Sequence, residues 1–134
     1  MAKPVLEKAD WWKIFDTDLA LYKFYMELLL KGAAVALALT GGVVSYCLAQ
    51  KAAGLIRWSL LLPTLVNFGF ALICLVGSWP AKMLATDHDD TCRMLGMENP
   101  YDLKPLCWLL WTSSVSYAAI GAGLLVLLRH LRGD

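Results

Sequence analysis

The chain has 134 residues, of which 59% are hydrophobic and 17% charged, with a mean hydropathy of +0.57; an ordinary soluble domain is about 45 to 50% apolar and about 25% charged. With a net charge of +1 nothing in the overall balance points to nucleic acid, whose binding normally requires a strongly basic face, and no nucleic-acid partner is expected. The charges sit in patches separated by long uncharged runs, so the expected fold class is an all-α membrane protein forming one domain over residues 1–134. The expected architecture is three transmembrane helices preceded by an amphipathic interfacial helix, with a polar loop between helices 2 and 3.

Residues 1–31 mix Lys3, Glu7, Lys8, Asp10, Lys13, Asp16, Asp18, Lys23, Glu27 and Lys31 with aromatic and aliphatic side chains, which is not the pattern of a span. From Asp18 onward, Tyr22, Tyr25, Met26 and Leu29 share one helical face, and Lys23, Glu27 and Lys31 share another at i, i+4 spacing. The pattern predicts a helix lying in the membrane interface, anchored by Trp11, Trp12, Tyr22 and Tyr25, residue types that settle at headgroup level. The long mixed-charge lead is unlike a cleaved signal peptide.

Residues 32–50 carry no charge, and nineteen residues at about 1.5 Å each cover the hydrocarbon layer. The short stretch Lys51 to Arg57 then returns the chain antiparallel into a second span, 58–79, bracketed by Trp58 and Trp79, with Pro80 expected to end it. Residues 81–105 read as a polar loop holding short helical pieces at 81–85 and 91–95 and a turn at 98–101. The third span is 106–128, closed by Arg129 and Arg132.

Orientation sets two rules against each other. The N-terminal segment and the 81–105 loop together hold eight Lys and Arg against four on the opposite side, which favours a cytoplasmic N-terminus. A disulfide between Cys92 and Cys107, which flank the loop, would instead want that side in an oxidising compartment.

Small residues recur at every fourth position in two spans: Ala34, Ala38 and Gly42 in the first, Ser114, Ala118 and Ala122 in the third. Lipid offers little hydrophobic drive between helices, so such stripes permit the close backbone approach on which helix association depends. They predict packing or assembly surfaces, and a thin three-helix bundle is expected to associate with copies of itself or with another membrane protein. Asn67 sits near the middle of the second span with Thr64 and Pro63 beside it, where an amide must find a partner. An interhelical hydrogen bond is the expected role, and a neutral pore lining in an oligomeric channel is the alternative. Ser113, Ser114 and Ser116 are expected to bond carbonyls of their own helix.

The cluster Asp87, His88, Asp89, Asp90 and Cys92 has no metal-binding spacing and reads as a solvated loop in which Asp87 or Asp89 caps a helix starting near Asp90. No metal and no cofactor is expected, since the two histidines, His88 and His130, lie outside the spans. The spans contain no acid, base or proton relay, and Cys47 and Cys74 are isolated in apolar surroundings, so catalysis is not expected either. These features predict a non-catalytic, multi-pass membrane subunit or scaffold whose partners are the lipid bilayer and other transmembrane helices.

Overall fold

The computed structural model describes residues 8–50, 58–98 and 102–133, with side chains described as far as His130. Three helices make up the fold: α1 (Lys8–Ala49), α2 (Leu61–Leu95) and α3 (Lys104–Gly133), and there is no strand among the described residues. Each helix is long and apolar enough to cross a membrane, which marks a multi-pass integral membrane protein. The turn expected at 51–57 and most of that expected at 98–101 lie outside the described residues.

No break in the helix marks the expected boundary at 31/32 between an interfacial helix and a first span. The whole of Lys8–Ala49 is one helix. The same face stays inward along its length: Asp18, Ala36 and Cys47 are buried, and Tyr22, Tyr25, Met26 and Leu29 pack on the inner core. These positions recur at the period of a straight helix, so the amphipathic pattern read in residues 18–31 is the inward face of a single long helix. Tyr22 and Tyr25, expected as headgroup anchors, are part of that face.

The expected loop at 81–105 also contracts. Pro80 lies inside α2, and the helix continues to Leu95, absorbing both expected helical pieces. Proline frees the carbonyl one turn before it, and a helix tolerates this where packing holds both sides. Ala81 and Ala85 beyond Pro80 are buried, as is Cys74 before it. Pro63 occupies the third position of α2, where its missing N–H has no intrahelical partner to lose. It therefore forces no kink. No helix begins near Asp90; the Asp87 carbonyl accepts a 2.9 Å bond from Thr91 Oγ1 within α2. The true end is at Gly96, whose φ of 72° suits glycine, with Gly96 N–H bonded to Arg93 O and Met97 N–H to Cys92 O, each at 3.1 Å. After this short connection Asp102 Oδ1 caps α3 by accepting from Lys104 N–H at 2.9 Å.

The core runs as three layers along the bundle. Cys74, Ala81, Leu106 and Leu110 form the first; Ala36, Ala71 and Tyr117 the second; Cys47, Leu60 and Leu124 the third. α2 is central, packing along α3 and α1, whereas α1 and α3 barely touch. Glycine sets the approach at two places: a Cβ at Gly32 would run into the ring of Phe70, and one at Gly121 would lie 3.0 Å from the Phe68 ring. Phe70 is itself wedged edge-on against Tyr117, ring centroids 4.7 Å apart.

Candidate functional site

Two polar centres lie within the bundle, one in each half. In the apolar half, Asn67 is fully buried. Its Nδ2 donates to Pro63 O on its own helix and to Thr40 Oγ1 on α1, both at 2.7 Å. A proline carbonyl can only accept, which fixes the nitrogen of the amide on that side. Thr64 is buried as well and donates to Leu60 O at 2.7 Å. Both residues are thus enclosed between helices of one chain. Ser114, expected to bond its own helix, instead donates across to Ala71 O on α2 at 2.9 Å, and Tyr117 Oη reaches Ala33 O on α1 at 3.3 Å. Cys47 Sγ lies 3.1 Å from Ser59 Oγ.

The second centre was not legible in the sequence. It lies where the N-terminal half of α1 packs on α2 beyond Pro80. Asp18, fourteen positions before the uncharged stretch begins at Gly32 and hence about 21 Å along the helix axis from it, faces His88 on α2. His88 is 0% exposed and Asp18 7%. His88 Nδ1 is 3.6 Å from Asp18 Oδ2, too far for a hydrogen bond, and neither atom has another hydrogen-bond partner. On the other edge of the ring, Nε2 lies 3.5 Å from Sγ of the buried Cys92, one turn along α2. Phe15 stacks over the imidazole at a centroid distance of 5.1 Å, and Trp12 closes on Phe15 edge-on at 5.7 Å.

The local reason is the face that α2 presents beyond Pro80. Ala81, Ala85, His88, Thr91 and Cys92 are its buried residues, spaced as i, i+4, i+7, i+10 and i+11. Small and polar side chains hide this helical period from a hydropathy reading, although its spacing was present in the sequence. Burial pushes the Asp18 carboxyl above its ordinary value of 3.8, and Asp87 adds to this, while the nearby imidazole opposes it. Burial likewise raises the Cys92 thiol, reinforced by Asp89 and Asp18. Lys104, at the start of α3, sits 3.6 Å from Asp89 on the outside of the cluster.

Carboxylate, imidazole and thiol stand in the order of a cysteine nucleophile with its base and orienting acid. Activation and access are both missing: the thiol is wholly buried and pushed toward its protonated form. Surface cavities lined by Cys107, Trp108 and Trp111, and by Trp79, Lys82, Met83, Thr86 and Asp87, do not reach it. One cation could not gather all three groups either, because Asp18 and Cys92 lie against opposite nitrogens of the same ring. Among the described residues no group of three or more His, Cys, Asp or Glu is arranged to hold a metal ion.

The residues singled out in sequence are dispersed. Ala34, Ala38 and Gly42 all face outward on α1. Ser114 and Ala118 turn toward α2, with Ala118 packed on the Ala36, Ala71 and Tyr117 layer, and Ala122 is exposed. Cys92 and Cys107 are free thiols, the first turned toward His88 rather than toward the second. Trp11 is half-buried and Trp12 exposed. Comparison with known proteins finds no matching family model, no similar curated protein and no similar solved structure.

Proposed function

We propose that this protein is a non-catalytic assembling subunit of the membrane, docking through the outward face of α1 onto a transmembrane helix of a second copy or of another membrane protein. The observation that supports it is where the first small-residue stripe points. At about 100° per residue, Ala34, Ala38, Gly41 and Ser45 fall within a narrow arc, with Gly42 at its edge. All five are exposed, while the opposite face carries the buried Ala36 and Cys47. A Cβ added at Gly41 or Gly42 would meet nothing within 4 Å. The face is smooth, lies along an apolar span and has α2 on its far side, which is the form helix association in lipid favours.

Exposed Phe24 and Leu28 on α1, Trp79 and Met83 on α2 and Trp108 and Trp111 on α3 supply an interfacial belt at one end of the spans. From Trp58 to Trp79 the 22 residues measure about 32 Å, the thickness of the hydrocarbon layer. The polar ends of α1 and α2 then project beyond the belt, on the cytoplasmic side by the excess of Lys and Arg. The channel alternative has less to support it, since Asn67 and Thr64 are buried within one chain and a pore between copies would have to be lined by other residues.

Native mass spectrometry of the protein purified in nanodiscs tests the assembly reading. Ala38→Ile and Gly42→Ile are expected to shift the complex toward the single chain while leaving the thermal midpoint of that chain unchanged. Complexes of unaltered mass with both variants would overturn it.

A further inference from the structure

The Asp18 and His88 pair is expensive as it stands. A buried carboxylate oxygen and a buried ring nitrogen face each other at 3.6 Å with no other hydrogen-bond partner for either atom, and a buried carboxylate is stable only when paired or neutralised. The pair joins the N-terminal half of α1 to the extension of α2 beyond Pro80. The interhelical hydrogen bonds of the apolar half, Asn67 to Thr40, Ser114 to Ala71 and Tyr117 to Ala33, involve neither histidine nor carboxylate. The ring is covered by Phe15 from α1. The charged and titratable groups around the pair are Asp87, which acts on Asp18, and Cys92, itself influenced by Asp89; from α3, Lys104 pairs with Asp89 at 3.6 Å.

We propose that Asp18 and His88 form a pH-operated latch: protonation of His88 turns a buried contact between a carboxylate and an uncharged ring into an ion pair that clamps the N-terminal half of α1 onto the extension of α2. Imidazole is the side chain that changes charge across the physiological range. With His88 charged, both ring nitrogens carry protons; Nδ1–H donates to Asp18 and Nε2–H is directed at Cys92 Sγ. With His88 neutral, the Asp18 carboxylate is left facing an uncharged ring in a desolvated site, and separating the two helix ends returns it to water. In acid Asp18 itself takes up a proton, and the buried site then holds no carboxylate that opening would return to water. Opening uncovers Cys92, so its accessibility reports the state of the latch. The latch stands independently of the docking face, which lies on the other side of α1.

Cys92 can be followed alone in the wild-type protein, because trypsin cleavage after Lys82 and Arg93 yields Met83 to Arg93, a peptide with no other cysteine. The full chain in nanodiscs is alkylated with N-ethylmaleimide at a series of pH values. At each pH the rate is divided by that of the denatured protein, which cancels the thiolate fraction. Protection of Cys92 is expected to fall about tenfold between about pH 5.5 and about pH 8, and to become independent of pH in His88→Gln and in Asp18→Asn. Wild-type protection that does not change over this range would overturn the latch without recourse to any variant. An unchanged pH dependence in either folded variant would overturn it as well.

Discussion

Asn67 Nδ2 and Thr40 Oγ1, 2.7 Å apart, join α2 to α1 near the middle of the membrane-spanning bundle. The residues are 27 positions apart, and the bond sets the height at which one helix stands beside the other. Thr40→Val keeps the volume and leaves one Asn67 N–H buried without an acceptor, whereas Asn67→Leu removes the amide with its unpartnered Oδ1 and lets Thr40 bond a carbonyl of its own helix. Thr40→Val is therefore expected to destabilise by about 1 kcal/mol and Asn67→Leu by less. Thermal unfolding in detergent orders the two, and equal or reversed losses would contradict this account.

Gly32 and Gly121 carry the close approaches of α1 and α3 to α2. A side chain at Gly32 meets the Phe70 ring, which also packs edge-on against Tyr117, so moving the ring aside disturbs a second contact. Gly32→Val is expected to cost about 1 to 3 kcal/mol by overpacking. Gly41→Val on the open face of the same helix should cost far less, since nothing lies within 4 Å. Circular dichroism melts of the two proteins make the comparison.

The end of α2 depends on a left-handed residue. Gly96 has φ of 72°, a conformation that costs an L side chain about 1 to 2 kcal/mol. Gly96→Ala is expected to lose about 1 kcal/mol, with accelerated amide exchange confined to the last turn of α2 and the connection to α3. Loss of exchange protection spread evenly through the bundle would contradict a local cap.

Asp18 links stability to pH with a definite sign. Its carboxyl is raised above 3.8 in the folded protein, chiefly by burial. Its contribution to stability is therefore fully present below that value and is lost as pH rises through the raised one. Asp18→Asn removes the ionisation, and is expected to melt a few degrees above the wild type in alkaline buffer and to lose that advantage in acid. Thermal midpoints measured across the pH range check both limbs, and a variant less stable than wild type at alkaline pH would reverse the sign.

The three uncharged stretches, the tryptophans bracketing the second and the burial of Asn67 were legible in the sequence because each follows from transfer energetics acting on neighbouring residues: lipid admits apolar side chains, an aromatic ring favours the interface and a midspan amide turns inward. Tertiary packing decided what local pattern leaves open. Continuation of α1 through residue 31 and of α2 through Pro80 depends on two helix faces covering each other outside the apolar stretch, and those faces include alanine, threonine, histidine and cysteine, which carry little hydropathy signal. Which small-residue stripe stays open was likewise set by packing, because Ala34 and Ser114 have the same spacing pattern while only Ser114 finds a carbonyl on α2. The encounter of Asp18 with His88 joins positions seventy residues apart, and no local period can announce it; the bundle alone brings a carboxylate and an imidazole into one buried site.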